Sequence, residues 1–438
     1  MKTKEMCFKM GLFTLLLIFI LPVHGNTMKE TERTFSKEIS VKPSSLITFD
    51  NKNGPLEVNT WDKNTVKIDT RIVIDGSDED IQKVFEYVKT MNFKQSGDNV
   101  SFNTNLYSLL RGTIPGNFKV TLNNGTVVKL TKLELNYTLT VPQNNPLTIV
   151  NAYEKVTLPD LGGKLTLDLY ESTLKAGKIS NHSSITLKYG KAEIDSIQDA
   201  VLSLFEAKMY IAGTGNLKIK SMYSTIEIQS AGKLEMDSYE DKIIFSSHAD
   251  VNLDAKYSRV TLSDFDKGTF DLFECELRAG NANILVIGAK YSELFFSSSR
   301  AVVFTDAYET KFNSPYVEDL KASSKYSSFS LNQLAGNLTF LSSYEDNILV
   351  KEVSNKFTGI SLRGKYTDID LTFSPGAQYK LLVDLKYTDL DFPRQQFKES
   401  RYHKEDETFI YSGVIQGADE NTCPVIDLIM YEGKVGIK

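Results

Sequence analysis

Lys256-Tyr257-Ser258-Arg259-Val260-Thr261-Leu262, followed by Phe273-Glu274, is the stretch that decides the fold. The first seven residues alternate apolar and polar side chains after a Lys-Tyr-Ser turn, the pattern of a short half-buried strand. The same pattern returns along the chain. An aromatic residue recurs from Tyr153 to Tyr344 at spacings of 16 to 19 residues, then at Tyr366 and Tyr387. A fixed period of this kind is the mark of a repeat architecture.

Two classes of repeat alternate. One reads Lys-Tyr-Ser/Thr, as at Lys256-Tyr257-Ser258, Lys290-Tyr291-Ser292, Lys325-Tyr326-Ser327 and Lys365-Tyr366-Thr367. The other reads aromatic-Glu, at Tyr170-Glu171, Phe205-Glu206, Tyr239-Glu240, Phe273-Glu274, Tyr308-Glu309 and Tyr344-Glu345. In the first class apolar residues stand at +3 and +5 from the aromatic, in the second mainly at +4. Stacked parallel strands must keep their inward parity. Stacking the first class directly on the second would break that rule, which predicts a double coil of 34–36 residues. A single coil of 17–18 residues, with bulges taking up the slip, is the competing assignment. Either gives an all-β, single-stranded parallel β-helix, a solenoid with a continuous apolar strip and capped ends.

On this reading Tyr189, Tyr223, Tyr257, Tyr291, Tyr326 and Tyr366 form a structural column inside the coil. The small residues two positions before them (Ser221, Ala255, Ala289, Ser324, Gly364) make room for the rings. An exposed stripe stacking on sugar rings is the functional alternative. Glu171, Glu206, Glu240, Glu274, Glu309 and Glu345 form a surface acidic ladder, relieved by Lys208, Lys242 and Lys311. The lysines at 188, 256, 290, 325 and 365 form a basic column, either a self-compensated surface like the acidic one or a surface suited to anionic glycans.

The ends differ from the middle. Met1 to Gly25, with Lys2, Lys4 and Lys9 before an apolar Gly11–Leu21 run, reads as a secretory signal. Export to the periplasm, cell surface or medium is expected, with no transmembrane span in the mature chain. Residues 26–150 form an N-terminal cap with one amphipathic helix at about 78–91, started by Ser77-Asp-Glu-Asp80. Residues 151–394 carry the repeats, and 395–438 form a C-terminal cap in which Val425–Ile437 supplies the last strands.

The chemistry-bearing residues are sparse. Lys and Arg number 50 against 56 Asp and Glu, a net charge of −6, which gives no basic footprint for nucleic acid. Three cysteines exclude a disulfide scaffold and any Cys-rich metal centre. Cys275 and Cys423 read as two free thiols, although export would permit a bond. His182, His248 and His403 sit in unrelated contexts and read as surface turn residues. Asp368, Asp370, Asp389 and Asp391 would form one patch able to take a hard cation if their coils stack. The plainer reading is a solvated strand face, so no metal site, catalytic set or cofactor is assigned.

Tyr137-Thr-Leu-Thr-Val-Pro142, Leu147-Thr-Ile-Val-Asn-Ala-Tyr153, Ile47-Thr-Phe-Asp-Asn51 and Val58-Asn-Thr-Trp-Asp62 resemble a bacterial "putative adhesin" family. This is a domain-of-unknown-function group of exported β-helical proteins found in Bacteroides-like bacteria. The resemblance spans roughly 35 to 395. It implies a right-handed β-helix in the envelope or outside the cell, a non-enzymatic interaction protein whose partner is a glycan or another envelope component. A carbohydrate-active β-helical enzyme, a polysaccharide lyase or glycosidase, is the alternative.

Overall fold

The computed structural model describes residues 30–114, 117–246 and 250–438. The leader expected at Met1–Gly25, and His248, lie outside the described residues. The chain is a parallel β-solenoid of about 12 turns. Each coil has two strand-bearing sides. Leu165–Tyr170 lies in parallel register between Leu147–Ala152 and Ser183–Lys188, and Thr173–Ile179 between Lys155–Leu158 and Lys191–Phe205. Inward residues of both sides meet in one apolar strip, including Leu217, Ile219, Ile226 and Ile228 in a single turn.

The coil is the single unit of 17–18 residues, not the double one. Tyr239 lies opposite Lys256, and Lys256 opposite Phe273, so aromatic does not stack on aromatic in register. Tyr257 instead follows its lysine at the corner, level with Glu240 and Glu274. The apolar residues then agree: Ile243, at +4 from Tyr239, pairs with Val260, at +3 from Tyr257. Parity is kept because the two repeat classes differ only in which of two adjacent positions carries the ring. The register shifts that do occur lie elsewhere, as between Ile287 and Gly288.

The interior aromatic column is made of phenylalanines. Phe296, Phe304, Phe312, Phe329 and Phe340 are buried, and their successive ring contacts include Phe304–Phe312 at 5.1 Å and Phe329–Phe340 at 5.0 Å. The tyrosines expected there are outside: Tyr257 is 43% exposed and Tyr189 45%.

The solenoid begins earlier than residue 151. Ile47–Asn51 pairs in parallel with Leu147–Ala152, and Leu56–Trp61 with Val127–Pro142. Thr31–Ser40, Thr65–Gly76 and Val127–Pro142 form an antiparallel sheet at this end. The helix runs from Asp78 to Thr90, its Ser77 Oγ accepting from the Asp80 N–H at 3.2 Å. Ile81, Val84, Phe85 and Val88 are its buried face, set on that sheet.

The other end departs from chain order. Gly359–Phe373 and Lys380–Asp391 are consecutive coil strands, yet they do not touch in register. Val425–Ile437 lies between them, parallel to both along its length. Phe397–Glu405 and Thr408–Ile415 form an antiparallel hairpin whose second strand pairs with Lys380–Asp391. The C-terminal strand expected to finish the stack is therefore inside it.

Candidate functional site

Each coil turns one corner through a residue with positive φ, and the corner repeats as a three-residue unit. The first position ends a strand and faces outward. The second is left-handed: Glu171 (φ 45°), Tyr189 (57°), Glu206 (46°), Tyr223 (57°) and onward to Tyr387 (53°). The third turns inward and is buried, as with Ser172, Ser224, Asp241, Ser258 and Cys275. Left-handed conformation costs roughly 1–2 kcal/mol for a residue with a Cβ. Glycine would avoid that cost, and these coils use tyrosine or glutamate instead.

What the corner gains is the ring contact. Two adjacent outward positions let a ring on the first position of one coil meet a ring on the second position of the next. From Tyr153 through Tyr170, Tyr189, Phe205 and Tyr223 to Tyr366, Tyr431 and Tyr387, every neighbouring pair is edge-to-face. Centroids are 5.3 to 6.0 Å apart and planes 71° to 89° apart. Such pairs contribute roughly 0.5–1.5 kcal/mol each beyond area burial, which offsets the backbone strain. The sequence periodicity located these rings, but their zigzag across two positions is a property of the corner.

The charged series occupy the positions the rings leave. Lys188, Lys256, Lys290, Lys325 and Lys365 stand at first positions, between rings of the neighbouring coils. Glu171, Glu206, Glu240, Glu274, Glu309 and Glu345 stand at second positions with a tyrosine corner between each pair. They are therefore two coils apart, roughly 10 Å rather than one strand spacing. The repulsion expected of an in-register acidic column is relaxed. Glu171 beside the Tyr170 hydroxyl holds that phenol above its ordinary range, and burial followed by Glu240 does so for Tyr239.

A shallow groove of about 650 Å³ follows the ring edge. Tyr189, Phe205, Met222 and Tyr239 form its apolar wall, and Ser203, Lys220, Asp237 and Asp254, in successive register, form its floor. Lys188 and Lys256 stand at its ends, and Lys220 Nζ is 3.7 Å from Asp237. On the opposite flank Glu274, Glu276, Glu293 and Glu309 line a second shallow groove together with Lys311, which follows Glu276 and Glu293 in register. Glu276 is held ionised, its pKa lowered by hydrogen bonds from Arg278 and Arg259, both 2.9 Å away.

Beneath the rings runs a buried polar ladder. Asp241 Oδ1 accepts from the Ser224 N–H at 2.7 Å and the Ser221 hydroxyl at 3.0 Å, and Oδ2 from the Ser238 hydroxyl at 2.7 Å. Asp346 repeats this with Ser327 N–H at 2.8 Å and the hydroxyls of Ser324 and Ser343. No basic side chain is among their hydrogen-bond partners, and burial raises both pKa values against these donors. The small residues at 221, 255, 289 and 324 serve this ladder, not a tyrosine ring. The Cys275 thiol donates to the Ala255 carbonyl at 3.2 Å, and Thr310 Oγ1 to the Ala289 carbonyl at 2.9 Å. The sequence signal was present as an aspartate after the corner glutamate at 240–241 and 345–346, and periodicity alone does not reveal it.

The four aspartates do not gather. The inserted strand places Lys434 between Asp368 and Asp389, and Gly436 between Asp370 and Asp391. Among the described residues no group of three or more His, Cys, Asp or Glu is placed to hold a metal. Cys275 and Cys423 are both free. His182 is exposed in the short connection before Ser183–Lys188, and His403 sits on a strand rather than a turn, 3.4 Å from Glu405. No helix among the described residues is long and apolar enough to cross a membrane.

No known family description matches the sequence, and no curated protein matches it. Among solved structures, the chain is similar to a "putative cell adhesion protein" from Clostridium sporogenes at 8% identity and a TM-score of 0.16. That match covers 94% of this chain and 99% of the other. A "putative lipid binding protein" from Parabacteroides distasonis matches at 11% identity and a TM-score of 0.18, covering 75% and 97%. The fold of this chain rests on its own strand pairing.

Proposed function

We propose that this protein is a non-enzymatic, exported envelope or surface protein that binds an extended glycan along its ring edge. The carrying observation is the unbroken series of half-exposed rings on one edge, flanked by a groove with lysines and carboxylates. Aromatic faces stack on the apolar faces of sugar rings, and paired charged groups supply hydrogen bonds to hydroxyls. Rings of one class recur every two coils, roughly 10 Å apart, a spacing that suits a repeating linear ligand. The non-enzymatic part of the proposal is supported by the carboxylates in hand: Glu276 is held ionised by two arginines, and Lys434 parts Asp368 from Asp389.

The test is affinity electrophoresis against soluble neutral and anionic polysaccharides, with the wild type and a Tyr189→Ser/Tyr223→Ser/Tyr257→Ser variant. Retarded migration by at least one glycan is expected, with a tenfold or greater loss of affinity in the variant and an unchanged far-UV spectrum. No retardation by any glycan in the panel, or equal retardation of the two proteins, would refute it. Polysaccharide cleavage by the wild type would move the chain to the enzymatic class.

A further inference from the structure

The C-terminal strand completes a pattern that chain order leaves broken. Lys365-Tyr366-Thr367 and Lys386-Tyr387-Thr388 are both of the Lys-Tyr class, so an aromatic-Glu unit is missing between them. Tyr431-Glu432-Gly433 supplies it. Tyr431 pairs with Lys365 on one side and Lys386 on the other, and Glu432 takes the left-handed corner at φ 58°.

The slot is selective. Gly433 has φ 144°, and a Cβ there would stand 2.0 Å from the Thr367 carbonyl oxygen. A Cβ on Gly436 would stand 2.1 Å from Asp370 Oδ1. Asp427 is ion-paired to Arg363. The slot thus calls for tyrosine, then glutamate, then glycine, the glycine fixed by the Thr367 backbone, whereas at Gly436 the close atom is a side-chain oxygen that can turn aside. Tyr-Glu-Gly occurs once in this chain.

The occupant is joined to the preceding hairpin through a loop. Its tether, residues 416–424, is a largely exposed turn region without strand. Without it, Gly359–Phe373 and Lys380–Asp391 would face each other as two unpaired edges, a template for another strand of the right sequence.

We infer that the slot between Gly359–Phe373 and Lys380–Asp391 is a strand-acceptor site, and that Val425–Ile437 of a second copy fills it by strand exchange. The slot's sequence requirement is met by definition in a second copy. The exchanged state keeps every pairing and hydrogen bond, and only the tether changes course, the circumstance in which domain swapping costs little.

Two full-length preparations, one isotopically heavy, would be mixed in guanidinium chloride below the main unfolding transition, returned to buffer and separated by size. Native mass spectrometry is expected to find heavy–light dimers that persist on dilution. In S361C/D427C, whose positions are register neighbours, oxidation ties the strand to its own slot and mixed dimers are lost. Reduction restores them. Monomer alone at every protein concentration, or mixed dimers at the same yield with the disulfide closed, would overturn the inference. Should the double variant fail to fold, a fluorescent peptide of residues 425–438 serves with wild-type protein. Uptake of that peptide with at least tenfold preference over its G433A form is expected, and no uptake or equal uptake overturns it.

Discussion

Tyr431 packs edge-on against Tyr387, ring centroids 5.5 Å apart, although a whole hairpin separates the two in the chain. Tyr431 also meets Tyr366 at 6.0 Å, so one ring from the C-terminal strand joins two coils that have none between them in sequence. Tyr431→Ala removes both contacts. A loss of roughly 1–3 kcal/mol is expected from two edge-to-face pairs. Amide hydrogen exchange should quicken first in residues 425–437, while the coils around residue 200 stay protected.

Surface and interior rings should separate cleanly. Tyr257→Ala loses two ring contacts at a half-exposed site and should cost roughly 1–3 kcal/mol. Phe312 is fully buried, and Phe312→Ala should cost roughly 3–5 kcal/mol through the cavity it leaves. Chemical denaturation of the two variants compares them directly. A larger loss at Tyr257 would restore the interior column.

The left-handed corners predict a stabilising substitution. Glu274 sits at φ 51° and contributes no ring to the ladder. Glu274→Asn keeps a polar side chain and tolerates that conformation far better. A gain of about 0.5–1 kcal/mol is expected, read as a higher denaturation midpoint with an unchanged slope.

Asp241 and Asp346 make stability depend on pH in a definite direction. Their folded pKa values lie above the ordinary aspartate value, so the folded state holds their protons more tightly than the unfolded chain. Their contribution is complete below the unfolded pKa and is lost as pH rises through the folded one. Asp241→Asn and Asp346→Asn remove that slope. Relative to wild type, the double variant should gain stability as the pH rises above the ordinary aspartate range, seen as converging or crossing melting temperatures. Parallel curves would mean that the serine donors hold both carboxylates ionised throughout.

Gly433→Ala places a Cβ 2.0 Å from the Thr367 carbonyl oxygen in a backbone conformation that L residues rarely adopt. A loss of roughly 2 kcal/mol or more is expected. It should appear as local opening of the C-terminal strand ahead of global unfolding, measured by limited proteolysis near residues 416–424.

The sequence alone determined the solenoid, the position of every ladder ring from Tyr153 to Tyr387, and the alternation of Lys-Tyr with aromatic-Glu. These follow from local rules: strand alternation, turn spacing and a repeat short enough to count. The helix from Asp78 was legible for the same reason, since Ser77 and the spacing of Ile81, Val84, Phe85 and Val88 act within a few turns. Three things were decided only in the folded chain. Tyr257 lies outside because a left-handed corner turns two successive residues outward, and parity counted through a corner as if it were a strand gives the wrong face. Asp241 and Asp346 are buried because the inner corner position is fixed by stacking on the coils above and below. The place of Tyr431 follows from pairing across long sequence separation, where the nearest coil in space is not the nearest in the chain. Strand edges recognise complementary strands whatever their order, and sequence order constrains that choice only through the length of the connecting loop.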